Sequence, residues 1–339
     1  MEAYLYRQLK DKKVRCDLCS HRCVIKPGDR GICGVRENRG GILETLVFGN
    51  IIARNIDPVE KKPLFHFQPG SRSYSVATVG CNFKCLFCQN ADIAQMPADR
   101  KGMIAGKHFS PEEIVKDAVR NHCKNIAYTY TEPTVFFEFA YETAKLAHQQ
   151  GLRNIFVTNG YMSAEALEMI RPYLDAANVD LKAFTGEYYR NLCSARLEPV
   201  KETLRLMKSM GIFIEVTTLI IPGLNDDPDE LAQMAHFIVS EIGSETPWHI
   251  SRFHPTYKLT DRGITPLQTL LDARQIGLDA GLRYVYPGNV PGESGESTTC
   301  YQCGSLLIER RGFIIRQNRI SESKCPDCGA TIDGVELSG

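Results

Sequence analysis

Six short β-rich runs, at 73–79, 125–130, 153–157, 176–181, 212–220 and 248–252, alternate with longer helical stretches through the middle of a 339-residue chain. Such alternation predicts parallel βα units, because a strand that lies parallel to its predecessor needs a crossover, and a helix supplies it. The helix limits are marked by their ends. Ser110-Pro-Glu-Glu113 combines a capping serine, a first-turn proline and a glutamate at the third position, and opens a helix to residue 120. Residues 134–150 are apolar along one face and stop at Gly151, while Pro199, Pro228 and Pro266 open helices that end near Gly211, Ile242 and Ala280. Six units of this kind fit an α/β fold, a partial (β/α)6 barrel, whose reactive groups gather at the C-terminal ends of the strands.

The polar motifs obey that geometry. Cys81-Asn-Phe-Lys-Cys85-Leu-Phe-Cys88 follows the first strand, Tyr130-Thr-Glu-Pro133 the second and Thr158-Asn-Gly-Tyr161 the third. Asp180-Leu-Lys182 ends the fourth, Ile221-Pro-Gly-Leu-Asn-Asp226 follows the fifth and Phe253-His254 the sixth. Of these, the cysteine loop carries the most chemistry. A cubane of four irons needs four thiolates to be closed, so a loop offering three leaves one iron open to an outside ligand. Two plainer readings are a zinc site that borrows a ligand elsewhere and buried cysteines with no metal.

Composition narrows the setting. A chain of this length buries enough surface to need no staples, so its thirteen cysteines are not there for bulk stability. With no export-type start and no membrane-length apolar run, a reducing cytoplasm and no membrane partner are expected, and thiols there mean metal or redox chemistry. Forty Lys and Arg balance forty Asp and Glu, which removes the electrostatic footprint of general nucleic-acid binding. The cysteines divide the chain into a cysteine-rich N-terminal segment (1–70), a core (71–290) and a C-terminal module (291–339).

The spacing CxxxCxxC, with Phe87 before the last cysteine, resembles that of the radical S-adenosylmethionine (radical SAM) superfamily. The resemblance implies an enzyme in which Cys81, Cys85 and Cys88 bind a [4Fe–4S] cluster and the amino and carboxylate groups of SAM chelate the fourth iron. It further implies that one electron then splits the sulfonium, and the 5′-deoxyadenosyl radical so formed abstracts a substrate hydrogen. A reductant such as flavodoxin or ferredoxin is implied as partner. Residues 70–290 look like the pyruvate formate-lyase activating enzyme branch. In that branch a Gly-Gly-Glu-Pro turn holds the methionine amino group; here Tyr130-Thr131-Glu132-Pro133 stands in its place, with Glu132 as acceptor and the Tyr130 and Thr131 hydroxyls in place of the glycines. Glu132 also suits a simple helix cap. Asp180, Lys182 and His254 match cofactor-side positions of the branch, with a solvated strand end and a structural histidine as the plain readings of the last two; Phe87, Gln89 and Asn90 adjoin the cluster within reach of the adenine, and Asn159 sits at the third strand's mouth. Tyr128, Tyr161, Phe253 and Asn225 are substrate-side candidates by position alone, and Tyr284-Val-Tyr-Pro-Gly-Asn289 is a closing structural segment.

Over the whole chain, Cys16-Asp-Leu-Cys19-Ser-His-Arg-Cys23, Gly31-Ile-Cys33-Gly and Tyr128-Thr-Tyr-Thr-Glu-Pro133 are similar to a narrower group, the radical SAM enzyme of the AmmeMemoRadiSam system. AMMECR1-type and Memo-type proteins are its implied partners. Two other functions remain open: a glycyl-radical-enzyme activase, and a non-catalytic iron–sulfur and zinc scaffold.

The outer cysteines form two more sets. Cys300-Tyr-Gln-Cys303-Gly and Cys325-Pro-Asp-Cys328-Gly are paired knuckles of a zinc-ribbon-like pattern, with a redox thiol pair or a second cluster as alternatives. Cys16, Cys19, Cys23 and Cys33 depart from the ferredoxin spacing, and His21 lies among them; here the expectation is a metal, zinc ahead of an auxiliary cluster, with free structural thiols as the plain alternative. Cys123 and Cys193 read as small core residues.

Overall fold

In the computed structural model, which describes residues 1–290 and 294–338, the six expected strands lie side by side in chain order. The expected boundary at 290/291 falls at the edge of the described residues, and 291–293 and 339 lie outside them. The strands are β2 (Arg72–Ala77), β3 (Asn125–Tyr128), β4 (Arg153–Thr158), β5 (Ala176–Asp180), β6 (Phe213–Ile220) and β7 (Trp248–Arg252). Two further strands flank them. β1 (Ala53–Pro58), from the N-terminal segment, pairs antiparallel with β2, and β8 (Val285–Gly288) pairs parallel with β7. The sheet therefore holds seven parallel strands where the sequence pointed to six, and Tyr284–Asn289 is in part a strand.

Six helices make the crossovers: α1 (Pro111–Arg120), α2 (Phe137–Gln149), α3 (Ala164–Ile170), α4 (Leu197–Ser209), α5 (Pro228–Phe237) and α6 (Leu267–Asp279). The expected capping box is present at α1, where the Glu113 N–H donates to Ser110 Oγ at 3.2 Å and the Ser110 N–H to Glu113 Oε2 at 2.7 Å. β3 is buried at every position, as a strand covered on both faces requires. Because every crossover returns the chain in the same direction, the C-terminal ends of β2 to β8 all open on one side. No helix among the described residues is long and apolar enough to cross a membrane.

The other end of the sheet is closed by a polar floor. Glu215, His249 and Tyr286 lie deep on β6, β7 and β8, with Glu215 Oε2 2.6 Å from His249 Nε2. The loop after β1 crosses beneath them, where the His66 N–H donates to Glu215 Oε1 at 2.7 Å and Asn178 Nδ2 donates to the Pro63 carbonyl at 2.7 Å. The C-terminal module, a three-stranded antiparallel sheet of Thr298–Thr299, Leu306–Arg311 and Ile314–Asn318, is anchored on the same floor. Its fully buried Arg310 donates to the Phe65 carbonyl at 2.8 Å and stands 3.7 Å from Glu60. Phe65, Tyr284, Tyr286, Leu307 and Ile308 form the apolar seam between module and core.

His66 locks this seam in one protonation state. Its Nδ1 lies 2.6 Å from the Asp333 carbonyl, which only accepts, so Nδ1 carries the proton; Nε2, 2.6 Å from the Tyr286 hydroxyl, then accepts. Burial pushes the imidazole pKa down to about 4, against the pull of Glu215. Between the ordinary 6.5 and about 4 the unfolded chain binds a proton that the native chain refuses, so stability falls as pH falls through this window. Thermal unfolding across it should lose stability more steeply in the wild type than in His66→Gln, by up to about 1.4 kcal/mol per pH unit. Equal slopes would show that His66 is not held neutral.

Candidate functional site: a cysteine loop at the mouth of the sheet

At the open end of the strands lies a cavity of about 550 Å³. Pockets for one small molecule run to roughly 300–1,000 Å³, so this is a space of small-molecule size. Alternation along the strands sets its wall: Asn178 and Asp180 of β5 and Thr217 and Leu219 of β6 point inward two residues apart. Thr129–Glu132 follow β3, Val157 and Thr158 end β4 and lead into Asn159, β7 gives Ser251, and Asn289 follows β8. The loop after β2 brings Cys81, Cys85 and Cys88 to the same wall.

That loop has almost no regular structure, so side chains hold it. Asn82 Oδ1 accepts from Asn159 Nδ2 at 2.7 Å, and the Asn82 carbonyl lies 2.8 Å from His21 Nε2. Gln95 Nε2 donates to the Phe83 carbonyl at 3.0 Å. The loop begins at Gly80, whose φ of 101° and position against the N-terminal segment both demand glycine: a Cβ there would stand 2.6 Å from Val35 Cγ1. On its other side the Lys84 N–H donates to the Cys193 carbonyl at 2.9 Å.

Donors are aimed at the sulfur of Cys81, from the Phe83 N–H at 3.4 Å and Asn159 Nδ2 at 3.8 Å. Burial, with the Glu132 charge next, pushes the Cys81 thiol well up; contact with Cys193, then burial, does the same to Cys85, and burial takes Cys88 to about 11. Thiolates in such surroundings need a cation, and a bound metal inverts this balance. The three sulfurs do not converge within 4.8 Å of one another, as ligands of a single ion do, but line the wall of a roomy cavity. That donor set fits a multi-iron body with one open corner.

Of the other expected residues, Phe87, Gln89, Asn90, Glu132, Asn159, Asp180 and Lys182 all line the cavity. Glu132 is both cap and wall: Oε1 accepts from the Thr134 N–H, Thr134 Oγ1 and Thr158 Oγ1, and Oε2 from the Asn159 N–H at 2.8 Å. Lys182 Nζ donates to Asp180 Oδ2 at 2.7 Å and stands 5.9 Å from the Phe87 ring centre. Asn90 Nδ2 donates to the Tyr130 carbonyl at 2.8 Å, tying the chain two residues past Cys88 to the turn after β3.

Several expectations do not match the structure. His254 is exposed and lies outside the cavity wall, because the chain turns away after β7, with the Phe253 N–H held by Thr265 Oγ1 at 2.9 Å. The Tyr130 and Thr131 hydroxyls do not replace the missing glycines; they donate to Asp57 Oδ2 at 2.5 Å and to the Thr78 carbonyl at 2.8 Å. Tyr128, Tyr161, Phe253 and Asn225 are buried outside the wall, and Asn225 instead ties the Lys182 and Leu219 carbonyls together. Cys123 is a core residue, whereas Cys193 is a core residue that also touches Cys85.

Several wall residues were not foreseen, three of them from outside the βα units. Lys61, Lys62 and Phe313 come from the loop after β1 and from the C-terminal module. Lys62 is buried against Asp57, with Nζ to Oδ2 at 2.6 Å, and its Nζ stands 4.7 Å from the Tyr130 ring centre; burial draws its pKa down to about 8 although Asp57 opposes this. The only sequence signal is Asp57 lying four residues before the Lys61–Lys62 pair.

Away from the cavity, Cys300, Cys303, Cys325 and Cys328 bring their sulfurs within 4.8 Å of one another. Two of the separations are 3.6 and 3.7 Å, and a tetrahedral ion with bonds of about 2.3 Å sets its sulfurs roughly 3.8 Å apart. Each knuckle closes through a glycine at φ of 76° or 77°, Gly304 and Gly329, whose N–H donates to the first cysteine's carbonyl.

The Radical SAM superfamily model matches residues 75–238, the stretch from β2 through α5. Over nearly its full length the chain is 48% identical to an uncharacterised protein of Methanocaldococcus jannaschii, covering 98% of this chain and 99% of that one. It is 23% identical to the pyruvate formate-lyase-activating enzyme of Clostridium pasteurianum over 176 residues, half of this chain and 70% of that one. The fold is similar to that of a radical SAM methyltransferase from Sphaerobacter thermophilus, with a TM-score of 0.51 at 15% identity over 71% of each chain. The chain belongs to the radical SAM superfamily, whose members are enzymes that use a [4Fe–4S] cluster and SAM.

Removing the Asn159 amide tests how the loop is held. Asn159→Ala should cost about 1–3 kcal/mol, the range for a buried polar partner left unsatisfied, and should lower the iron retained after anaerobic desalting. Wild-type melting and iron content would show that the loop does not depend on this bond.

Proposed function

We propose that this protein is a radical SAM enzyme that reductively cleaves S-adenosylmethionine and takes hydrogen from a protein or small-molecule substrate. The observation that carries this reading is the convergence of seven parallel strand ends and the three loop cysteines on one cavity. On this reading the strands form an open, partial (β/α) barrel. Cys81, Cys85 and Cys88 would hold the cluster. When bound, the cluster supplies the one electron that splits SAM into methionine and the hydrogen-abstracting 5′-deoxyadenosyl radical.

The chain's own residues divide the remaining work. Asn82, Asn159 and Gln95 fix the loop; Glu132 offers Oε2 to the cofactor's amino group, and Asp180 with Lys182 supplies a charged pair beside Phe87. Phe87, Gln89 and Asn90 border the adenine. The opposite wall, with Lys61, Lys62, Ser251, Asn289 and Phe313, is left for the substrate. The C-terminal cysteines hold a structural zinc ion, a closed site with no open position.

The likeness at both cysteine-rich ends supports placing the chain with the AmmeMemoRadiSam radical SAM enzymes, and AMMECR1-type and Memo-type proteins are then its partners, with a flavodoxin or ferredoxin as reductant. The similarity to the activating enzyme of Clostridium pasteurianum supports a second reading, activation of a glycyl-radical protein.

Anaerobic incubation with reductant and SAM should yield 5′-deoxyadenosine and methionine from the wild type and none from Cys85→Ala. No 5′-deoxyadenosine from a protein loaded with iron would overturn the proposal. Metal analysis should find about one zinc per chain, kept in Cys85→Ala and lost in Cys325→Ser. Zinc unaffected by Cys325→Ser would remove the structural site.

A further inference from the structure

The N-terminal cysteines surround a second space, separate from the cavity at the strand ends. Cys16, Cys19, Cys23 and Cys33 line a small, partly enclosed pocket of about 20 Å³, beside Leu18, Ile25, Ile32 and Val135 and the polar His21, Arg36 and Asn82. Three strands and turns present them: Cys16 ends the strand Val14–Cys16, Cys19 and Cys23 flank a turn closed by the Arg22 N–H on the Cys19 carbonyl, and Cys33 sits in the turn Gly31–Gly34.

Two observations decide what this pocket suits. The first is the spacing of the sulfurs. No three of the four come within 4.8 Å of one another, although the four C-terminal cysteines of the same chain do so. A single tetrahedral ion draws its thiolates to roughly 3.8 Å, so these sulfurs are set too wide for one zinc and leave an interior between them. The second is a group of buried donors without partners. Arg36 is 1% exposed; its Nη2 is engaged by the Tyr4 carbonyl at 2.8 Å and by Glu138, while Nε and Nη1 have no hydrogen-bond partner. Asn82 Nδ2 is likewise buried and unpartnered, and both side chains line the pocket. Unsatisfied donors are costly unless something absent from the protein itself accepts from them. Thiolate and sulfide sulfurs of an iron–sulfur cluster are such acceptors, and hydrogen bonds to them tune its potential.

We infer that Cys16, Cys19, Cys23 and Cys33 hold a second [4Fe–4S] cluster, closed by four thiolates and hydrogen-bonded by Arg36 and Asn82. With every iron carrying a cysteine, this centre has no corner for SAM. Its place is one residue from the first: Asn82 walls the pocket while its neighbour Cys81 walls the strand-end cavity. The assignment reverses the sequence-based order of zinc before an auxiliary cluster.

The test is the full-length chain with the loop emptied, Cys81→Ala/Cys85→Ala/Cys88→Ala, purified anaerobically and reconstituted with ferrous iron and sulfide. About four iron and four acid-labile sulfide per chain should remain, against about eight of each in the wild type, with a reduced-state paramagnetic signal that ignores SAM. Adding Cys19→Ser/Cys23→Ser should remove that iron. A folded triple variant without iron, whether it holds a second zinc or none, overturns the inference. If the triple variant does not fold, Cys19→Ser/Cys23→Ser in the wild-type background decides: iron falling from about eight to about four supports the second cluster, and an unchanged count overturns it. Failure of the proposed function looks different, because the wild type would then carry only the iron that survives in the triple variant.

Discussion

A hydrogen-bonded bracket on Asn82 is the interaction on which the rest of the site depends. The loop from β2 carries the three cysteines but has no ladder or helix to fix it. Its position comes from His21 on one side and Asn159 on the other, and Asn159 is itself fixed by its N–H on Glu132. Through this chain the N-terminal segment, the cysteine loop and the ends of β3 and β4 form one hydrogen-bonded unit. Because Asn82, Asn159 and Glu132 are buried, losing one partner of their bonds leaves the other unsatisfied.

The two ends of the sheet are built for opposite purposes. At the lower end Glu215, His249, Tyr286, His66 and Arg310 fill the interior with paired polar groups, and the C-terminal module packs against them. At the upper end the strands leave a cavity walled by cysteines, amides, the Lys182–Asp180 pair and Lys62, which is itself paired with Asp57 behind the wall. The module belongs to both ends: Arg310 is buried in the floor, while Phe313 reaches the cavity wall. Sulfur spacing likewise separates the cysteine sets, since the C-terminal four are gathered for one ion while the other two sets are spread around space.

Much of this was legible in the sequence. The six central strands are short apolar runs bounded by polar turns, and each polar motif after a strand was placed correctly because alternation and crossover direction leave little freedom. The two flanking strands were harder for physical reasons. β1 reads Ala-Arg-Asn-Ile-Asp-Pro, with its middle residues exposed on a sheet edge, so it lacks a buried strand's apolar pattern. β8 contains Pro287 and Gly288, residues that argue against a strand except at an edge, which is where it lies. Glu132, Asn159, Asp180 and Lys182 reach the cavity wall because they lie at or just after strand ends. Lys62 and Phe313 were missed because they reach the cavity from elements outside the βα repeat, and His254 was misplaced because a chain leaving a strand end turns either into the mouth or away from it.

The central claim is that Cys81, Cys85 and Cys88 present an iron with one open corner to the amino and carboxylate groups of SAM. Pulsed electron–nuclear double resonance on the reduced protein, with SAM carrying a 15N-labelled amino group, tests it directly. The account predicts a hyperfine coupling from the labelled nitrogen to the cluster that disappears in Cys85→Ala. A reduced cluster with no coupling to the label in the presence of saturating SAM would contradict it.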